Sequence, residues 1–153
     1  MKNAPDKRTA NTAVFLLLWA GLSLGGNLIA APAKFQVDAV PLDDLLRIGR
    51  AQFGWLGVAE IVFAIALIGM SFIKRAHLSW LSGNALMILF VQQVGLHPLL
   101  QARTDLILSG QAAPSSQLHL VFIATEVIKF MVLVVSARNL LNATASPRGN
   151  TLS

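Results

Sequence analysis

The chain has 153 residues, of which 55% are hydrophobic and only 12% are charged, and its formal net charge is +5. Soluble domains carry about 25% charged residues, so this composition excludes an ordinary water-soluble fold and predicts an all-α protein that spans a membrane. The basic residues form no stripe interleaved with aromatic side chains, which argues against nucleic-acid binding, and the absence of cysteine excludes disulfides, thiolate metal sites and thiol catalysis.

Four uninterrupted apolar runs predict four transmembrane helices in an antiparallel bundle, within a single domain over residues 12–141. The runs cover residues 12–31, 52–73, 78–99 and 118–141. Each is long enough to cross a hydrocarbon core of roughly 30 Å as a helix. The flank 1–11 and the tail 142–153 are predicted to lie outside the membrane, the tail as a flexible segment.

Basic residues are distributed unequally between the two sides of these predicted spans. The side with both termini and the turn at 74–77 holds seven basic residues and one acidic residue, whereas the other side holds four of each. The positive-inside rule therefore predicts that both termini face the cytoplasm.

The first run allows two interpretations. Basic residues precede it, and the sequence at 31–33 fits the cleavage site of a signal peptide, in which case the span would be removed. Its apolar stretch is, however, longer than the roughly 7 to 15 residues of a signal peptide, and it carries Gly21-x-x-x-Gly25, a motif for close helix packing. The helix that packs against this motif is either another span of the same chain or a span of a second copy of the chain. Gly57 in the second run is expected to allow the same close packing.

Residues 41–51 predict a short amphipathic helix in the first external connection. Pro41 suits a first helical turn, and Asp43 and Asp44 follow where the helix dipole favours acidic residues. This helix is expected either to lie on the outer surface or to run straight into the second span. Before it, Lys34 is either an interfacial lysine that snorkels or a contact for an anionic lipid or solute.

The segment Trp19–Phe35, together with Gly49–Phe53, is similar to a class of small four-helix bacterial inner-membrane proteins of uncharacterised function. The resemblance covers mainly residues 15–60. It implies a multi-pass location in the bacterial inner membrane, and it assigns no catalytic residue.

Three ionisable residues lie inside the predicted spans: Glu60 in the second, and Glu126 and Lys129 in the fourth. A charged side chain at mid-bilayer costs roughly 2.5 to 3.5 kcal/mol, so we expect the three to face the bundle interior and to pair. Glu126 and Lys129 are three residues apart on one helix stripe, and Glu60 is predicted to lie at a similar depth.

Uncharged polar residues extend this predicted site. Asn27 in the first span and Gln93 in the third are expected to join the charged residues in a ligand or proton site in the outer half of the bundle. Gln93 shares a helix face with His97. Asn84 and Gln92 lie on another face and are expected to make interhelical hydrogen bonds.

His97 and His119 are the candidate metal ligands, because paired imidazoles bind haem b, zinc or copper. The alternative is that both histidines hydrogen-bond loop backbone near the outer ends of their spans. Pro98 is expected to end the third helix, with a mobile loop over residues 101–117. No cofactor is predicted.

Three classes of function remain open. No Walker, Rossmann, H-E-x-x-H or G-x-S-x-G pattern is present, so an enzyme is not favoured. The first class is a small-solute or proton-responsive binding or transport protein, in which two carboxylates share a proton that a ligand displaces. The second is an accessory subunit of a membrane complex, with a structural ion network and a second copy or another membrane protein as partner. The third is a haem or other redox protein.

Overall fold

The computed structural model describes residues 7–74, 79–112 and 115–145, and within these ranges it contains four long helices and no strand. The helices are α1 (7–36), α2 (Leu42–Lys74), α3 (Trp80–Leu108) and α4 (Leu118–Ala145). Each is long and apolar enough to cross a membrane, so the prediction of four helices of membrane-spanning length is confirmed. Most of the predicted basic turn at 74–77 and the outer parts of both terminal flanks lie outside the described residues, and the orientation in the membrane stays a prediction.

Two of the helices contain a wider π-helical turn that is followed by a proline. In α1 the π turn covers Leu24–Ala30 and Pro32 follows it. In α3 it covers Gln92–Leu96 and Pro98 follows it. A proline lacks the backbone N–H group, and its ring crowds the preceding turn of an α-helix. The π turns loosen that crowding, so both helices continue past their prolines.

The helix end that was expected at Pro98 is therefore wrong. The N–H group of His97 donates to the carbonyl of Gln92, five residues earlier, and α3 continues to Leu108. The helix extends nine residues past Leu99, which is the end of the predicted third span. Much of the segment 101–117, which was predicted as a loop, is therefore helical. These added turns of α3 form one wall of the cavity described below.

The predicted amphipathic helix of the first connection forms the beginning of α2. Asp43 and Asp44 lie in the first turn of α2, as the helix dipole favours. The helix then continues without a break to Lys74. Of the two predicted arrangements, the structure has the one that runs straight into the second span.

Helix α4 is central to the packing, since its most extensive contact is with α1 and it also packs against α3. An apolar core fills one end of the bundle. It includes Leu16 and Trp19 of α1, Leu67 of α2, Leu89 of α3 and Leu133 of α4. Burial of these side chains holds the helices together at that end and leaves the polar residues to the middle of the bundle.

Large apolar side chains cover the outside of the bundle. Ile65, Met87 and Phe90 are each more than 60% exposed. An apolar surface of this extent is unsuited to water and suited to lipid. Trp55 and Trp80 are exposed as well, as interfacial anchors are.

The glycines proposed for helix packing differ in their surroundings. A Cβ atom at Gly21 or Gly25 would meet nothing within 4 Å, so the contact expected within the chain is not formed there, and pairing with a second copy stays a prediction. At Gly57, the amide of Gln93 lies 3.0 Å from where a Cβ would be. In α1 the close approach is at Gly26, where a Cβ would overlap a leucine of α2.

Candidate functional site

The three charged residues of the spans meet in the middle of the bundle. The Nζ atom of Lys129 lies 2.7 Å from each carboxylate oxygen of Glu60 and 2.8 Å from Oε2 of Glu126. Lys129 and Glu126 are fully buried, and Glu60 is 3% exposed. The prediction of a buried ion pair is confirmed, and its charges are contributed by α2 and α4.

Donors from three helices hold the carboxylate of Glu126. Its Oε1 accepts hydrogen bonds from Ser23 Oγ at 2.7 Å and from Asn27 Nδ2 at 2.6 Å. Its Oε2 accepts from Gln92 Nε2 at 2.7 Å and faces the ammonium of Lys129. Four donors on one carboxylate replace the water that an ionised group would otherwise require.

Gln92 connects both sides of the ion pair. Its Nε2 donates to Glu126, while its Oε1 accepts a hydrogen bond of 2.8 Å from Lys129. The Nε2 group also donates to Thr125 Oγ1 at 3.0 Å. These partners fix the orientation of the amide, because only the oxygen can face an ammonium and only the NH₂ group can face a carboxylate.

The two π turns supply the amides of this site. Asn27 lies within the π turn of α1, and Gln92 begins the π turn of α3. A π turn changes the direction in which its side chains project, and such turns are frequent at functional sites. The polar centre of the bundle, called the charge cluster below, consists of Ser23, Asn27, Glu60, Gln92, Glu126 and Lys129.

The charge cluster holds one ammonium and two carboxylates, so it carries a net charge of −1 when all three are ionised. Glu60 receives fewer hydrogen bonds than Glu126, because Lys129 is its only side-chain donor of good geometry among the described residues. The indole of Trp19 lies beside Glu60, but its buried N–H group makes no hydrogen bond of good geometry. An added proton on Glu60 would therefore disturb the fewest contacts.

Four of the five residues predicted for a ligand or proton site lie in the charge cluster. The exception is Gln93, whose amide packs over Gly57, while the neighbouring Gln92 faces Glu126. Gln92 continues a buried stripe of α3 at 3-4-3 spacing, which also contains Ser82, Ala85 and Leu89. This spacing is visible in the sequence and identifies Gln92 as the inward residue.

Ser23 is the member of the charge cluster that sequence reasoning missed. It lies four residues before Asn27 and seven after Leu16, on the buried stripe of α1. Serine is common in membrane helices, so its spacing from Asn27 was the only signal that it faces the centre of the bundle.

A cavity of about 280 Å³ lies at the end of the bundle away from the apolar core. Its walls come from the end of α1, the first turns of α2, the end of α3 and the beginning of α4. The apolar part of the lining includes Leu46, Phe53, Leu100, Ile107 and Phe122.

Two phenylalanines separate the cavity from the charge cluster. The rings of Phe53 and Phe122 pack edge to face, with their centroids 5.5 Å apart, and both line the cavity. Phe122 lies one helical turn from Glu126, and Phe53 lies two turns from Glu60. The aromatic pair thus forms the floor of the cavity, with the charged residues beneath it.

The ionisable part of the lining is basic. It comprises Lys34, Arg50, His97, Arg103 and His119, one or more from each helix. None of the described residues that line the cavity is Asp or Glu. The cavity therefore presents positive charge above a cluster whose net charge is negative.

A chain of polar contacts leads from the cavity to the charge cluster. It begins at Lys34, whose Nζ donates to Gln52 Oε1 at 3.2 Å. The Nε2 of Gln52 donates to the carbonyl oxygen of Gly26 at 2.9 Å. Gly26 belongs to the π turn that also carries Asn27, and Asn27 donates to Glu126.

The two histidines considered as metal ligands line the cavity and do not belong to the charge cluster. His97 Nε2 lies 3.2 Å from the amide nitrogen of Gln101, and His119 is exposed. The part of the chain that the structure describes contains no group of three or more His, Asp or Glu side chains placed to hold a metal ion.

Comparison of the chain with protein-family models, with curated proteins and with solved structures found no match. The similarity of Trp19–Phe35 to small bacterial inner-membrane proteins therefore stays a prediction, and so does the location that it implies.

Proposed function

We propose that this protein binds a small solute in the cavity, and that binding is coupled to the protonation of the charge cluster. The observation that carries the proposal is the chain of polar contacts between them. It leads from Lys34 through Gln52 to the π turn of α1, and from Asn27 through Glu126 and Lys129 to Glu60. A ligand that moves Lys34 or the π turn would change the contacts of the ion pair.

Electrostatics gives the expected strength of this coupling. Phe53 on the cavity floor and Glu60 in the cluster are seven residues apart on α2, which is about 10 Å along a helix. Two unit charges at about 10 Å interact by roughly 1 to 2 kcal/mol at an effective dielectric constant of about 20. A charged ligand on the floor then changes the proton affinity of the cluster about tenfold, and protons change the ligand affinity by the same factor.

Glu60 is the residue that exchanges the proton in this proposal. The groups that face it are Lys129 and, beyond that ammonium, Glu126 on α4, with Trp19 on α1 and Gln92 on α3. Since one ammonium neutralises only one of the two carboxylates, a proton on Glu60 brings the cluster to zero net charge. That reduces the free-energy penalty of holding an ionised cluster in a membrane interior.

A structural role in a membrane complex is the second candidate, and one observation favours it. Each side-chain oxygen of Glu60 and Glu126, and the ammonium of Lys129, has a hydrogen-bonding partner within the chain. Charged groups that are satisfied internally can fix the register of the helices without any ligand, although Asn27 Oδ1 is buried without a hydrogen-bonding partner among the described residues.

Thermal unfolding of the full chain in lipid nanodiscs from about pH 5 to about pH 9 separates the two candidates. The proposal predicts a midpoint that changes with pH in the native protein and a flatter profile in Glu60→Gln. Asp38→Asn removes an exposed carboxylate outside both the cluster and the cavity lining and is expected to keep the native profile. Parallel profiles for the native protein and Glu60→Gln, with the variant uniformly less stable, would contradict coupling and support the structural role.

A further inference from the structure

The basic cavity has the chemistry of a site for one class of ligand. We propose that it takes an anionic amphiphile, whose carboxylate or phosphate group pairs with Lys34 while a short apolar body packs on Phe53 and Phe122. The inference rests on the proposed function, since it names the ligand class of the same cavity. The features that carry it are the surroundings of Lys34, the sign of the lining charge and the size of the space.

Lys34 is a cation that has no anionic partner in the described part of the chain. Its ammonium is half-buried and hydrogen-bonds to the neutral amide of Gln52, and no carboxylate among the residues that the structure describes pairs with it. The rings of Phe35 and Phe53 each lie with their centroid 5.2 Å from Nζ. Aromatic faces stabilise an ammonium only in part, so a partly desolvated lysine gains most from a ligand anion.

Gly49 explains why Lys34 lies at the cavity. A Cβ atom at Gly49 would lie 2.5 Å from Nζ of Lys34, so the absence of a side chain there lets the ammonium lie against α2. An interfacial lysine that merely snorkels would need no such space in a neighbouring helix. The structure thus favours the solute contact over the snorkelling alternative for Lys34.

The other basic residues of the lining contribute unequally to this preference. Arg50 adds little net charge, because it forms an ion pair with Asp105, and both side chains are about half exposed. Arg103 belongs to the lining as well, from α3. Basic side chains in a cleft with apolar walls focus a positive potential, which attracts anions and repels cations.

The size of the cavity limits the apolar part of the ligand. Its volume of about 280 Å³ is near the lower end of small-molecule sites, which are roughly 300 to 1,000 Å³. That space suits a headgroup with one short chain or ring and is too small for a whole diacyl lipid. A free medium-chain carboxylate and the phosphate end of a membrane lipid share this chemistry.

The charge of the ligand sets the direction of the proton coupling. A ligand whose anionic group pairs with Lys34 adds negative charge on the cavity side of a cluster whose net charge is −1, so its binding favours the uptake of a proton at Glu60. From the sequence we expect a ligand whose binding releases a proton. Because the basic lining of the cavity favours an anion, ligand binding is instead expected to take up a proton.

Calorimetric titration of the full chain in phosphatidylcholine nanodiscs tests the ligand class, with octanoate as the probe and octanol as its neutral match. Octanoate is expected to bind at least about tenfold more tightly than octanol, and Lys34→Gln is expected to weaken octanoate binding by at least about tenfold. Arg47→Gln removes a cation of α2 that does not line the cavity, and it should leave the affinity unchanged. Equal binding of the two probes, or an unchanged affinity in Lys34→Gln, would overturn the proposal.

Lys34→Arg keeps the positive charge and is expected to retain octanoate binding, which separates loss of the anion contact from loss of folding. Nanodiscs that contain phosphatidylglycerol distinguish the two sources of the anion. Competition by that lipid, but not by phosphatidylcholine, would identify an anionic lipid headgroup as an occupant of the cavity. The absence of competition would point to a free solute, and either result supports the site. Octanoate binding that depends on Lys34 but shows no proton uptake at any pH would contradict the proposed function and leave the ligand class standing.

Discussion

Lys129 of α4 contacts both carboxylate oxygens of Glu60 of α2 at 2.7 Å, in the buried centre of the bundle. Helix α2 packs mainly against α1 and the end of α3, so this ion pair is a main polar link between α2 and the central helix. Glu126 and Gln92 complete the contacts of the ammonium. The position of α2 therefore depends on the charge of Lys129.

Replacement of Lys129 by methionine is expected to destabilise the protein strongly. The variant leaves two carboxylates buried without a cation, and breaking a buried pair in this way costs about 3 to 5 kcal/mol. The free energy of unfolding in mixed micelles measures the effect. The double variant Lys129→Met with Glu60→Gln should be more stable than Lys129→Met alone, because it removes one of the uncompensated charges. A double variant that is no more stable than the single one would argue against the ion pair.

Gln92 and Gln93 are adjacent and identical in type, but only Gln92 belongs to the charge cluster. Gln92→Leu removes the donor to Glu126 and the acceptor for Lys129, and is expected to cost about 1 to 3 kcal/mol of unfolding free energy. Gln93→Leu should change it by less than about 0.5 kcal/mol. Equal losses of unfolding free energy for the two variants, measured by chemical unfolding, would contradict the hydrogen bonds of Gln92 to Glu126 and Lys129.

Gly25 and Gly26 lie in the same π turn but differ in the space around them. A Cβ at Gly26 would lie 2.8 Å from Cδ1 of Leu56, whereas nothing lies within 4 Å of a Cβ at Gly25. Gly26→Ala is expected to cost about 1 to 3 kcal/mol, because Leu56 must move. Gly25→Ala should be neutral or stabilising by up to roughly 1 kcal/mol, since alanine favours helix. Unfolding of the two variants measured side by side tests this close approach, and a destabilised Gly25→Ala with an unaffected Gly26→Ala would refute it.

Two buried serines give a matched test of hydrogen bonding to the carboxylate. Ser23 Oγ donates to Glu126 at 2.7 Å, and Ser136 Oγ has no hydrogen-bonding partner among the described residues. Ser23→Ala is expected to cost about 1.5 to 3 kcal/mol, since its acceptor is charged. Ser136→Ala should leave thermal stability unchanged or raise it slightly. A lower unfolding midpoint for Ser136→Ala than for Ser23→Ala would contradict the hydrogen bond from Ser23 to Glu126.

The sequence predicted the four helices and the pairing of their charges for a physical reason. Apolar runs of this length form helices in lipid because every backbone polar group must be satisfied internally. An isolated charge is too unfavourable there, so Glu60, Glu126 and Lys129 had to meet. The spacing along α4 placed Glu126 and Lys129 on one stripe of the helix, and the similar depth of Glu60 in its own span placed it beside them.

The inward positions of Ser23 and Gln92 could have been predicted from their spacing along α1 and α3, whereas the π turns could not. In the π turn of α3, the backbone N–H group of His97 donates to the carbonyl of Gln92. The same turn carries α3 past Pro98 and so builds a wall of the cavity that a loop was expected to cover. Such turns have no firm sequence signature, although in both of them a glycine precedes a proline by a few residues within an apolar run: Gly26 is six residues before Pro32, and Gly95 is three before Pro98.

The most direct test of the coupling between the cavity and the charge cluster is the number of protons taken up per octanoate bound, measured with a pH indicator in weakly buffered nanodiscs between about pH 6 and about pH 9. Coupling predicts uptake of up to one proton in the native protein, with a maximum at one pH, and none in Glu60→Gln at equal occupancy of the cavity. Octanoate binding without proton uptake, or the same uptake in Glu60→Gln, would contradict the coupling of the cavity to the charge cluster.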